Sequence, residues 1–349
     1  MYILIAIIVF GVLIAIHEFG HFVAAKSVGV RVNEFSIGMG PAILKKQKGE
    51  TLYALRLLPI GGYCAMAGED EASDDPRAFT NKGFFPRLLI LCAGSFMNFL
   101  LGVVLVFVMS LMIAAHYEPV ISEFMEGCPY ESQELFMEGD RLVKINGQRV
   151  LTYSDVATFF ADGEGSYDFV IKRDGKKIEL NDVELKLHEY EGYEGKKFGF
   201  IFSVEEMDFK GRLQYTWNQS LEFSRWVWMS LGELIEGNVK LDDMSGPVGI
   251  VDMMNEVGES SPTAKDAAYS MLYLSAFIAI NLAIMNMLPI PALDGGRVFC
   301  MLITVIIEAI TKKKLDPKYE GYINAVGLIL LLGLMFLIMY NDIVKIVVR

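Results

Sequence analysis

Two histidines and a glutamate near the start of the chain carry the first chemistry that can be read from it. His17-Glu18-Phe19-Gly20-His21 spells H-E-x-x-H. On a helix, residues four apart share a face, so His17 and His21 can turn both imidazoles toward one metal ion. Glu18 points off that line, as suits a carboxylate that takes a proton from a metal-bound water instead of binding the metal. Neutral imidazole suits zinc. All three residues lie in an almost unbroken apolar run from Tyr2 to about Ala25, where ionisable groups are costly and functional by default. The bland alternative is a chance match, or a polar helix end reaching the membrane interface. Two imidazoles also leave a catalytic zinc one protein ligand short, because such sites use three plus a water.

The rest of the chain must supply that ligand and a scaffold. The 349 residues are 53% hydrophobic with a mean hydropathy of +0.38, yet 21% are charged. That mixture predicts membrane spans joined to a water-exposed part. A net charge of -12 argues against nucleic acid as a partner. Cys64, Cys92, Cys128 and Cys300 are scattered without a C-x-x-C, and read as thiols without a disulfide framework or a second metal site. Ala24-Ala25 resembles a cleavage site, but no basic residue precedes the apolar run and cleavage would discard the metal motif. The run is expected to be retained.

The expected fold is a polytopic α-helical membrane protein with four transmembrane segments. The first, residues 2–25, is long enough at 1.5 Å per residue to cross a core of about 30 Å. Residues 30–68 turn glycine-rich and strand-like, with a lysine-rich hairpin tip at Lys45–Gly49 and a turn at Pro59–Gly62. This membrane-associated β-hairpin region is either a sheet edge able to hold an extended peptide or a plain connector. Glu69 to Asp75 reads as an acidic loop, and Leu88 to about Ala115 as the second span. Asn98 inside that span needs a partner on another helix.

Residues 116–207 read as a β-rich domain, with hairpin signals at Asp140–Val150 and Phe169–Leu180, a helix at Tyr153–Ala161, and His188 in a solvated loop. Arg212 to Glu236 is amphipathic. Trp217 and Trp228 lie on its apolar stripe and Glu222, Arg225 and Glu233 elsewhere, so it reads as a membrane-surface helix or, alternatively, as a helix packed on the β domain. Residues 267–310 form a third span broken by Pro289 and Pro291, and Asn324 to about Met339 a fourth. The resulting divisions are 1–115, 116–207, 208–266 and 267–349.

Topology selects the third ligand. Arg31, Lys45, Lys46 and Lys48 follow the first span, and Lys312, Lys313 and Lys314 the third. Basic loops mark the cytoplasmic side, so both spans run outside to inside. The region between spans two and three has about twice as many acids as bases, as expected outside. Two acids lie in the third segment. Asp294 sits at the helix break, at a depth matching His17 and His21; Glu308 would lie about 21 Å further along. Asp294 is the expected ligand.

These residues resemble the site-2 protease family of intramembrane zinc metalloproteases, and within it the bacterial RseP-like branch with a single PDZ domain. That family pairs H-E-x-x-H with N-x-x-P-x-P-x-x-D-G in a later span. Here Asn286-Met287-Leu288-Pro289-Ile290-Pro291-Ala292-Leu293-Asp294-Gly295 matches every fixed position. The resemblance implies that His17, His21 and Asp294 bind zinc, that Glu18 activates the water, and that Asn286 holds the substrate backbone. It implies a β-loop at Gly38–Gly62 that receives unwound substrate, and an inserted extracytoplasmic PDZ domain ending in the G-D-x-hydrophobic-hydrophobic-x-I-N-G run. Ser132–Phe136 departs from the usual PDZ sequence, and Ser245-Gly246-Pro247-Val248-Gly249 resembles a segment found before the third span. Substrates implied are single-span membrane proteins such as anti-sigma factors, or signal-peptide remnants, cut in the bacterial plasma membrane near the cytoplasmic side in contact with lipid. The competing readings are a membrane PDZ scaffold with a dead metal site, and a zinc transporter or sensor. The intact Glu18 opposes the first, and the scarcity of metal-binding side chains in the spans opposes the second.

Overall fold

The structure is a computed structural model of the chain, describing residues 1–69, 73–161, 163–239, 244–312 and 318–348. Lys313, Lys314, Arg349 and the centre of the Glu69–Asp75 loop lie outside the described residues. Four described helices are long and apolar enough to cross a membrane: α1 (Tyr2–Ser27), α2 (Phe84–Ser110), α6 (Ala264–Met285) and α8 (Lys318–Val348). Two compact units divide the chain, one comprising residues 1–105 and 226–349, the other residues 106–225.

In the first unit, α1 feeds a long hairpin of β1 (Val32–Lys48) and β2 (Thr51–Met66). The outer halves pair from Lys48↔Thr51 to Met39↔Leu58, while the inner half of β1 pairs from Ile37↔Gly62 to Val32↔Met66. Residues Glu34–Ile37 also run in step with Leu52–Leu55, both numbers climbing together. The two bent strands thus make four ribbons in the order 39–48, 51–58, 32–37, 62–66. The expected turn at Pro59–Gly62 falls inside the long strand β2, yet of its four residues only Gly62 pairs with β1, opposite Ile37; the chain bends there, at Gly61, whose φ of 87° suits glycine. Among the described residues, 62–66 form an edge, paired on one side only.

The second unit begins within α2, which ends at Ser110 and not at the expected Ala115. Arg212 accounts for the early stop, donating to the carbonyls of Ser110 and Ile113. The strands are β3 (Ala115–Phe124), β4 (Arg141–Ile145), β5 (Gln148–Arg149), β6 (Gly165–Arg173), β7 (Lys176–Leu185), β8 (His188–Glu189), β9 (Lys196–Lys197) and β10 (Phe200–Glu206), with α3 (Tyr153–Phe159) inserted after β5. The main sheet is antiparallel in the order β10-β3-β4-β6-β7, with β5 on β4. Alternating residues such as Ile121, Leu142, Ile145, Phe169 and Ile171 form its core with Phe136. Thr152 and Asp155 cap α3 reciprocally. His188 is half-buried, with Nε2 3.4 Å from the Tyr130 hydroxyl, and is not in a solvated loop.

α4 (Phe209–Glu236) takes the alternative reading, a helix packed on the β domain. Glu222 and Arg225, which lie off the tryptophan stripe, tie it there. Glu222 is fully buried and accepts from Thr152 Oγ1 at 2.6 Å, and Arg225 pairs with Asp155. Trp217 and Trp228 stay exposed. Periodicity cannot distinguish a polar residue facing water from one facing a polar partner.

Beyond α4, α5 (Pro247–Ser260) opens the Ser245–Gly249 segment. Asp342 of α8 accepts from the amides of Gly246 and Gly249, both at 2.9 Å, satisfying free donors at the start of α5. The expected third span is two helices, α6 and α7 (Asp294–Thr311), separated by the proline-containing turn; of the two, α6 is the one both long and apolar enough to cross. Asn98 is buried, and its Oδ1 lacks the expected partner among the described residues.

Candidate active site

The H-E-x-x-H pair occupies the fifth and sixth turns of α1, where helical spacing stacks the two imidazoles. Their Nε2 atoms lie 3.1 Å apart. Asp294 is the first residue of α7, where a helix start favours a carboxylate. The turn that delivers it is closed by the Gly295 amide donating to the Asn286 carbonyl at 2.8 Å. A Cβ on Gly295 would fall 2.2 Å from the Met287 carbonyl carbon, so only glycine follows the aspartate here. Ala292 within the turn has φ 76°, unusual for a residue with a side chain. The Ala292 amide donates to Asn324 Oδ1 across 3.4 Å.

Asp294 Oδ2 lies 3.2 Å from His17 Nε2 and 3.3 Å from His21 Nε2. The three atoms form a triangle with sides of 3.1–3.3 Å. A tetrahedral zinc with bonds of about 2.0–2.1 Å needs ligand separations of about 3.3–3.4 Å, so one face of that tetrahedron nearly fits. Asp294 Oδ2 is buried and, the two imidazoles apart, has no hydrogen-bond partner among the described residues, which leaves it poised for a cation. His21 Nδ1 donates to the Ile90 carbonyl at 2.8 Å, which fixes the ring with Nε2 turned inward. The donor set and its geometry fit zinc.

α2 presses close behind the imidazoles. A Cβ on Gly94 would lie 2.5 Å from His21 Nε2 and 2.7 Å from His17 Cε1, so the missing side chain makes room for the two rings.

A cavity of about 440 Å³ collects all five residues expected at the site: His17, Glu18, His21, Asn286 and Asp294. The alternative acid, Glu308, does not line it. The edge ribbon forms one wall through Tyr63, Cys64, Ala65 and Met66, and a Cβ on Gly62 would stand 3.5 Å from Glu18 Cγ. Two charged residues that sequence reasoning missed complete the lining. Arg297 lies one helical turn after Asp294 and pairs with Glu69, just past β2. The i, i+3 spacing from Asp294 was the available signal for Arg297; Glu69 had none.

Comparison with known proteins extends this geometry. Over 348 residues, covering 99% of both chains, the protein is 36% identical to one of Clostridium perfringens assigned as a zinc metalloprotease. It is 37% identical over 350 residues, 98% of this chain and 97% of the other, to a protein so assigned in Clostridium acetobutylicum. The regulator of sigma-W protease RasP of Bacillus subtilis is 27% identical over 420 residues, covering 97% of each. Residues 5–334 match the sequence pattern of peptidase family M50, a span that takes in both halves of the metal triangle. A match that long cannot be a five-residue coincidence in one apolar helix: the chain belongs to peptidase family M50 and is a zinc metalloprotease.

Proposed function

We propose that this protease hydrolyses peptide bonds inside the membrane, within the transmembrane segments of single-span proteins. The observation that carries the reading is the His17–His21–Asp294 triangle sharing one cavity with Glu18 and a strand edge. His17, His21 and Asp294 hold the zinc. When bound, zinc polarises the scissile carbonyl and acidifies water. Glu18 accepts the proton of the attacking water and returns it to the departing amine. Asn286, at the end of α6, holds the substrate backbone near these groups, and such positioning is worth several kcal/mol.

A transmembrane helix hides its carbonyls in its own hydrogen bonds and must unwind before it is cut. The open side of residues 62–66 offers replacement bonds by strand addition, in preference to the connector reading. The site faces the cytoplasmic side of the bacterial plasma membrane, and the β domain of residues 116–207 is a PDZ domain on the outer face that filters substrates by size. Residues 1–115, 208–266 and 267–349 supply the zinc-motif spans, a connecting helical region and the Asp294-bearing spans. Substrates are anti-sigma factors, in keeping with the name of the sigma-W-regulating relative, or signal-peptide remnants.

The test is zinc content and chelator-sensitive cleavage of a model single-span substrate by the purified full-length chain. Glu18→Gln is expected to retain zinc while cleavage falls at least about a hundredfold. Near-normal turnover by that variant would refute the mechanism.

A further inference from the structure

The edge ribbon is already occupied at one end. The Ala67 amide donates to the Arg31 carbonyl at 2.9 Å, toward the β1 side. Successive amides of an extended chain point to opposite sides, so the Met66 amide points away from β1, toward the open side and the cavity. There it donates to Glu69 Oε2 at 3.4 Å. The other oxygen of that carboxylate, Oε1, is held by Arg297 from the first turn of α7. Glu69 and Arg297 both line the cavity and are each only 20% exposed. The Glu69 carboxylate therefore stands where the carbonyl of an added strand would accept a hydrogen bond from Met66.

We infer that Glu69 is a built-in placeholder: it satisfies the Met66 amide while the site is empty, and an incoming substrate strand must displace it. The inference rests on the strand-addition reading of substrate binding. An empty edge inside an apolar environment would leave an amide without a partner, which is costly. Glu69 removes that cost, and Arg297 keeps the carboxylate from remaining an unpaired charge once it lets go of Met66. Substrates whose backbone pairs poorly with the edge cannot displace it, so the device selects for segments that unwind readily. Glu69 is a specificity-determining residue and takes no part in bond cleavage.

The test compares Glu69→Ala, Glu69→Gln and the unaltered full-length, zinc-loaded protease on a synthetic single-span peptide. Removing a competitor for one hydrogen bond is expected to lower KM about three- to tenfold for Glu69→Ala, with kcat moving less than twofold. Glu69→Gln keeps an acceptor oxygen but loses the charge that Arg297 holds, and is expected to lie between. A raised or unchanged KM, or a fall in kcat in a folded Glu69→Ala variant, overturns the proposal in favour of a structural clasp. Amide hydrogen exchange gives a readout free of turnover. In the Glu18→Gln background, Met66 exchange is expected to speed up with Glu69→Ala and to slow again on adding the uncut peptide. Equal exchange with and without Glu69 overturns it too.

The peptide is also scanned with N-methyl amides around the scissile bond. If no methylated position raises KM, strand addition itself fails and the placeholder with it. If the scan shows the expected losses while Glu69→Ala leaves KM unchanged, only the placeholder fails.

Discussion

Asp294 of the cavity and Asp140 of the β domain are both buried aspartates, and they are treated in opposite ways. Asp140 is fully buried and satisfied, accepting from the Met137 amide at 2.8 Å and from Arg173 Nε and Nη2 at 2.8 and 2.7 Å. Arg173 in turn donates to the Gln133 and Leu135 carbonyls. Asp294 has an oxygen whose near neighbours among the described residues are two imidazoles, with no amide or guanidinium donating to it. A carboxylate with both oxygens hydrogen-bonded to amide and guanidinium holds a fold together, whereas one left facing two imidazole nitrogens is suited to a cation.

Substitution should separate the two. Asp294→Ala is expected to strip zinc from the purified protein and abolish cleavage. In chelator-treated samples the same change should not lower thermal stability. Retention of stoichiometric zinc, measured by elemental analysis, would break the contrast. Gly94→Ala comes next: its methyl falls on the His21 ligand atom, and zinc affinity in a competition titration should drop about ten- to a hundredfold. Asp140→Ala should leave zinc in place but cost the β domain about 3 kcal/mol in denaturant unfolding, because Arg173 loses its partner.

The smallest effect is a pH dependence inside the second unit, where two carboxylates diverge. The His116 hydrogen bond, opposed by burial and aided by Arg141, holds Glu118 below its ordinary value of 4.5. Its contribution to stability is therefore complete above 4.5 and is lost as the pH falls through the folded value. Burial raises Glu222 above 4.5 despite hydrogen bonds from Thr152, Ser154 and Gln219, so stability associated with Glu222 is greatest below 4.5 and declines as the pH rises through the folded value. In thermal scans of the full chain, Glu118→Gln should flatten the acid-side loss and Glu222→Gln the loss on the rising side.

The contrast also explains what was legible in the sequence. Types and spacing pointed to His17, Glu18, His21 and Asp294, because metal chemistry restricts residue choice and charged groups stand out in apolar runs, whereas Asn286 entered only through the family resemblance. The two hairpins of the β domain announced themselves through Asn146-Gly147 and Asp174-Gly175, whose positive φ angles demand such residues. Other features depend on neighbours distant in the chain and leave no local trace. Gly94 looks like any small residue in a span until α1 is packed on it. Glu222 carries a surface residue's composition but faces Thr152. Pro59–Gly62 has turn chemistry and does carry a bend, at Gly61, but nothing local shows that the bend sits within one long strand. Glu69 belongs to an acidic loop by composition, and only the direction of the Met66 amide gives it a task.

Ala292 keeps a left-handed backbone with a methyl group attached, a posture that costs of order 1–3 kcal/mol where glycine would relax. The chain's most durable version and its fastest version are therefore different sequences. A library selected for heat resistance alone should gather glycine or asparagine at that position, slacken the corner that aims the aspartate, and return long-lived enzymes that cut slowly.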